Sequence, residues 1–224
     1  MNPDGIATIA PAIAKGEAEI ITAIPLADIL KRICAPAADL LGVKMKERVE
    51  RCFEKTVKMT QDAGITPEGV APKLLIPILQ AASLEENEDL HTMWAALLSN
   101  AASPEGADLV RPEFIAILKH MSPDEAVMLK WMLDQLPTMA WKADVPHPDF
   151  RDAYAKLFGH SKTVGRQVSS ADDPRWRTCV GGLEAATLIE KTGKAGADRY
   201  GYTLTWYGYE FITACQPPKP KVHA

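Results

Sequence analysis

Between residues 70 and 101 two strongly apolar segments follow one another with only a short acidic break, and that spacing constrains the fold more than any other feature of the chain. The first contains Pro72, Leu74, Leu75, Ile76, Pro77, Ile78 and Leu79. In the second, Leu90, Met93, Trp94, Leu97 and Leu98 recur at i, i+3, i+4, i+7 and i+8, one face of a helix, while Glu85, Glu88, Asp89, Thr92 and Ser99 fall elsewhere. Ser83 followed by Glu86 has the form of a capping box, so the second helix is expected to start there. Two packed helices joined by a capped turn are a core, not a reaction centre.

The 224 residues, 47% of them apolar, suffice for a full core, and two domains are expected. A net charge of −4 argues against a surface coated in basic side chains for nucleic acid. The charge is uneven: residues 1–107 carry 10 basic and 15 acidic side chains, residues 108–224 carry 15 and 14, so any contact with DNA belongs to the second part. Cys34, Cys52, Cys179 and Cys215 are far apart, with no C-x-x-C pair and no histidine at metal-ligand spacing, which suits a reducing cytoplasm. No secretory leader and no membrane span is read; residues 20–27 are only eight uncharged positions.

Along the chain, residues 17–41 are expected to be helical in pieces, broken near Pro25 and Pro36. A helix over 44–63 follows, with Val49, Cys52, Phe53, Val57 and Met59 inward and Gly64 ending it. Its basic run, Lys44, Lys46, Arg48, Arg51, Lys55 and Lys58, alternates with Glu47, Glu50 and Glu54 and reads as a solvated face. Residues 103–106 form a turn, and Pro112 opens a helix facing inward with Phe114, Ile115, Ile117 and Leu118. Ser122, Pro123 and Glu125 are the best helix start in the chain, leading to Ala126, Leu129, Met132, Leu133 and Leu136 inside. A proline-rich loop at 137–148, a short helix at 150–158 and a polar segment at 159–170 are expected next.

From Pro174 the pattern is that of a winged helix. A helix over 174–187 carries Trp176, Cys179, Val180 and Leu183; a strand with Leu188 and Ile189 leads through a tip bearing Gly193 and Gly196 to a second strand with Tyr200, Tyr202 and Leu204; Thr205 caps a closing helix containing Phe211 and Ile212. Such a module places its helix in the major groove and its wing on backbone. Arg175, Arg177, Lys191, Lys194 and Arg199 are the candidate contacts with duplex DNA or a protein partner, and for Arg175 and Arg177 surface salt links or a protein interface is the favoured reading over nucleic acid. Against DNA stand Asp172 and Asp173 at the helix start, read as N-caps, together with Glu184, Glu190 and the helix-weakening pair Gly181 and Gly182.

No catalytic, metal or cofactor motif is read. His91, His120, His147, His160 and His223 are scattered, with His91 expected on an exposed helical face; His147 beside Asp149 is the one isolated acid and base pair. The acidic run Glu85, Glu86, Glu88 and Asp89 lacks the glycine and terminal glutamate of a calcium loop and reads as a helix N-terminus.

The string from Pro72 to Glu85, with Leu90, Trp94, Ala95, Leu97, Leu98 and Asn100 and then Pro112, Phe114, Ile115, Leu118 and Met121-Ser122-Pro123, resembles the central block of the bacterial abortive infection alpha (Abi-alpha) family, most specifically over 70–135. The resemblance implies a helical intracellular protein connected to phage defence and brings no catalytic motif. The expected architecture is mainly α: a helical domain at 1–107 with its Abi-alpha-like core from about 70, a winged-helix-like domain with a small hairpin at 108–216, and a disordered tail at 217–224. The expected activity is non-enzymatic binding of a protein or of duplex DNA, with a homodimer possible. The alternatives are a DNA-binding transcriptional regulator and a membrane-perturbing effector using residues 18–43, although no stable membrane insertion is expected.

Overall fold

The computed structural model describes residues 40–135, 174–195 and 199–220. Among them the chain is mainly helical with one two-stranded antiparallel hairpin, as the periodicities predict. They fall into two compact units: residues up to His120 together with those from Thr213 onward, and residues from Met121 to Ile212. Of the segment read as helical pieces at 17–41 the part 17–39, the loop and short helix at 137–158, the polar stretch at 159–170 and, of the tip expected at 191–199, residues 196–198 lie outside the described residues; the rest of that tip is strand.

In the first unit, α1 (Leu40–Asp62) turns Val49, Cys52, Phe53 and Val57 inward against α2 (Pro72–Leu84) and α3 (Glu88–Ala101). It ends as Gly64 predicts: Gly64 sits at φ +65°, its N–H reaches the Gln61 carbonyl at 3.0 Å, and the Ile65 N–H reaches Thr60 at 2.9 Å, two otherwise orphaned carbonyls. Helix α2 starts on Pro72, whose missing N–H costs nothing at that position.

The expected capping box at Ser83 does not form. Ser83 is fully buried in the last turn of α2, with Leu75, Ile78, Leu79 and Ala82 also on the buried face, and its hydroxyl donates to the Gln80 carbonyl at 2.7 Å. Asn87 caps α3 instead, its Oδ1 accepting from Asp89 and Leu90 N–H at 3.0 and 3.1 Å, while Glu85 accepts from the Asn87 N–H at 2.8 Å. Extending the apolar helix through Ser83 keeps more surface dry than starting a new one there, and an equally good cap stood four residues on. Helix α3 is buried nearly all round, including His91, Ser99 and Asn100, so it is the centre of the unit rather than a helix with one apolar stripe. A turn at 103–106, a 3-10 turn (Ala107–Leu109) and α4 (Pro112–His120), with Phe114, Ile115 and Leu118 inside, complete this unit with the returning C-terminal residues.

In the second unit, α5 (Pro123–Gln135) has the predicted capping box. Glu125 N–H donates to Ser122 Oγ at 3.3 Å, and Glu125 Oε2 accepts from the Ser122 N–H at 2.6 Å. Then follow α6 (Pro174–Ala185), β1 (Ile189–Ala195), β2 (Arg199–Leu204) and α7 (Trp206–Ala214), the order the sequence predicts. The strands pair Ile189 with Leu204, Lys191 with Tyr202 and Ala195 with Arg199, with a register shift between Thr192 and Ala195. Thr205 caps α7 as expected, accepting from the Gly208 N–H at 2.8 Å.

Candidate functional site

The five candidate cations occupy the helix and the hairpin of the second unit. Arg175, in the first turn of α6, makes a two-pronged pair with Asp124 of α5, through Nε to Oδ2 and through Nη2 to Oδ1 at 2.5 Å. Lys191 on β1 lies 3.3 Å from Glu184 of α6. Arg177 is exposed on α6, and Lys194 and Arg199 take their places on β1 and β2. Asp172 and Asp173 lie outside the described residues. The described residues of this unit carry six basic side chains (Lys130, Arg175, Arg177, Lys191, Lys194 and Arg199) and six acidic ones (Asp124, Glu125, Asp134, Glu184, Glu190 and Glu210), so they carry no net charge.

Two aromatic side chains missed by the sequence reading stand out on the same unit. Trp206 is 72% exposed and Tyr209, one turn on, 36%. Phe211 and Ile212 of α7 are fully buried, which at 100° per residue leaves position 206 on the opposite side of the helix and position 209 at the border of the buried face, beside 212. The helix is held close to the hairpin. A Cβ on Gly208 would come within 2.0 Å of the Leu188 carbonyl oxygen, which also accepts from the Thr205 N–H at 3.0 Å. Trp176 of α6 meets Tyr202 of β2 edge to face at 6.3 Å, tying helix to hairpin. The signal for Trp206 was present in the sequence: with Phe211 and Ile212 inward, position 206 falls on the far face, whereas Tyr209 lies three residues before Ile212 and its exposure follows only from the packing.

In the first unit the basic run of α1 does not spend itself along its own helix. Arg48 pairs with Glu86 at 2.6 Å, Lys55 with Glu88 at 2.5 Å and Arg51 with Glu88 at 3.6 Å, crossing to the start of α3; Lys46 and Glu50 form the expected pair one turn apart. The Lys55 ammonium, by hydrogen bonding, holds the Glu88 carboxyl below its ordinary range. His91, expected to be exposed, is 1% exposed, with Nε2 3.0 Å from the Arg48 carbonyl and Nδ1 unpartnered. Burial lowers its pKa, the Arg48 carbonyl opposes that shift, and Lys55 and Arg51 add to it.

Chemistry at sulfur is disfavoured among the described cysteines. Cys52, Cys179 and Cys215 are buried; burial pushes the Cys52 and Cys179 thiols up to about 12, helped at Cys179 by Glu125 and Asp124, and raises Cys215 as well. Among the described residues no cluster of His, Cys, Asp and Glu could hold a metal, and no helix is long and apolar enough to cross a membrane. His147, Asp149 and most of the segment 18–43 lie outside the described residues.

A cavity of about 370 Å³ lies in the first unit, walled by Met59 of α1, by Ala63 just after it and by Pro217, Pro218 and Pro220. Of the tail expected to be unstructured, Pro217 to Pro220 therefore form a wall, and 221–224 lie outside the described residues.

A sequence model of the abortive infection alpha family matches residues 44–215, from the first turns of α1 to the residue after α7. No curated protein and no solved structure matches the chain.

Proposed function

The chain belongs to the abortive infection alpha family, and from that premise we propose that it serves phage defence by binding a protein partner, without catalysis of its own, through the helix–hairpin–helix unit, which we read as a winged helix. The observation that carries this reading is the exposed pair Trp206 and Tyr209 on a unit whose described charges cancel. Exposed aromatics at the start of a well-anchored helix are the side chains that dominate protein interfaces, because they bury much area at little rotamer cost. The buried, high-pKa thiols and the enclosed His91 support binding over nucleophilic catalysis.

Duplex DNA is the second reading, favoured by the order helix, hairpin, helix. The pairs Arg175–Asp124 and Lys191–Glu184 weigh against it, since phosphate would have to compete with carboxylates already in place. Plaque formation on cells carrying Trp206→Ala with Tyr209→Ala, compared with Arg175→Gln, Arg177→Gln and Lys194→Gln, separates the two. Loss of protection with the aromatic changes and retention with the triple change is the expected result. The reverse pattern, with salt-dependent binding of duplex DNA by the unaltered chain, would assign the unit to nucleic acid.

A further inference from the structure

We propose that the cavity between α1 and the segment 217–220 is a binding site for a small amphipathic monocarboxylate, an apolar chain of roughly eight carbons ending in one carboxylate. At about 370 Å³ its volume lies within the range of small-ligand sites. Its lining is mostly apolar, from Met59, Ala63 and the three prolines, which suits a hydrocarbon chain.

The wall does not have to be assembled by the ligand. The Asn100 carboxamide nitrogen, in a residue 5% exposed, lies 3.1, 2.9 and 2.8 Å from the carbonyls of Ala96, Ala214 and Gln216, which share its two hydrogens, fixing the backbone just before Pro217. The prolines then restrict the next residues through their own rings. A site preformed in this way loses little entropy on binding.

The charges at the rim set the head group. Lys55 is committed, to Glu88 at 2.5 Å and to Thr92 Oγ1 at 2.8 Å. Lys58 lines the same cavity, is exposed, and makes no hydrogen bond or ion pair among the described residues, so its ammonium is available to an anion. Asp62, one helical turn on at the same rim, disfavours a second negative charge, so a monocarboxylate fits better than a phosphate or a dicarboxylate.

The test is saturation-transfer NMR on the full chain with sodium octanoate, 1-octanol and octylammonium as probes, repeated with Lys58→Glu, which removes no contact. The expected result is saturable octanoate binding, at least about tenfold weaker binding of the other two probes, and an affinity for octanoate about tenfold lower in Lys58→Glu at an unchanged melting temperature. A chain ending at Gln216 and a Met59→Gln chain check the apolar walls independently, and both are expected to bind octanoate more weakly. Equal binding of all three probes, no octanoate binding, or an affinity indifferent to Lys58→Glu would each overturn the proposal.

Discussion

His91 and Thr187 are two residues whose surroundings set energies that their identities do not. Burial holds the His91 pKa below the ordinary 6.5, with Lys55 and Arg51 of α1 adding to the shift and the hydrogen bond to the Arg48 carbonyl and the Glu88 charge opposing it. As pH falls, the unfolded chain therefore binds the proton first. The stability this residue contributes is complete above about 6.5 and is lost as pH falls through the lower folded-state value. His91→Gln keeps a donor for the Arg48 carbonyl and cannot titrate, so melting temperature against pH should flatten between pH 7 and 5; an unchanged slope would remove His91 from the account. Thr187 sits at φ +58°, a conformation that crowds a β-branched residue, because it ends α6 in the way Gly64 ends α1: its N–H reaches Glu184 at 2.9 Å and the Leu188 N–H reaches Leu183 at 3.0 Å. Thr187→Gly should raise stability in urea by up to about 1 kcal/mol, since the strain relieved exceeds the chain entropy added. Neither feature is legible locally: the acids beside His91 suggest a wet surface, and threonine gives no sign of a left-handed turn.

At the scale of elements, two adjacent glycines of α6 have opposite meanings. A Cβ on Gly181 would meet nothing within 4 Å, whereas one on Gly182 would come within 1.9 Å of Glu125 Oε1, the side chain that closes the capping box of α5. Gly182 thus lies at a close approach of α6 to the Glu125 side chain of α5, and only Gly181 is a plain helix weakness. Gly181→Ala should stabilise by about 1 kcal/mol. Gly182→Ala should gain clearly less, because the same propensity gain of about 1 kcal/mol is offset by displacing the Glu125 carboxylate from its cap. Urea melts of the two variants check this, and equal gains would contradict it. The two ends of the α2–α3 break show the limit of local reading. The capping box at Ser122 and the cap at Thr205 form as their spacing predicts, but Ser83 was drawn into the core by α2, and Asn87 took its place.

At the scale of the molecule, one side chain of the first unit reaches its returning C-terminal residues by hydrogen bonds. Asn100 joins α3 to carbonyls 114 and 116 residues further along the chain. Asn100→Ala removes these donors and leaves the carbonyls of Ala214 and Gln216 without that partner, which should cost about 3 kcal/mol and speed amide exchange from 213 to 216. Exchange unchanged there, with stability lost, would mean that Asn100 acts only within α3. The sequence by itself determined the helices with clear 3.6-residue periods, the caps at Ser122 and Thr205, the end of α1 at Gly64 and the order helix, hairpin, helix, because each rests on groups a few residues apart. Tertiary structure alone decided that α3 is buried nearly all round beyond its first turn, that Arg48 and Lys55 answer Glu86 and Glu88 across a helix pair, and that Pro217 to Pro220 wall a cavity. Those outcomes depend on which surfaces meet after chain closure, and residues far apart in sequence carry no periodic sign of meeting.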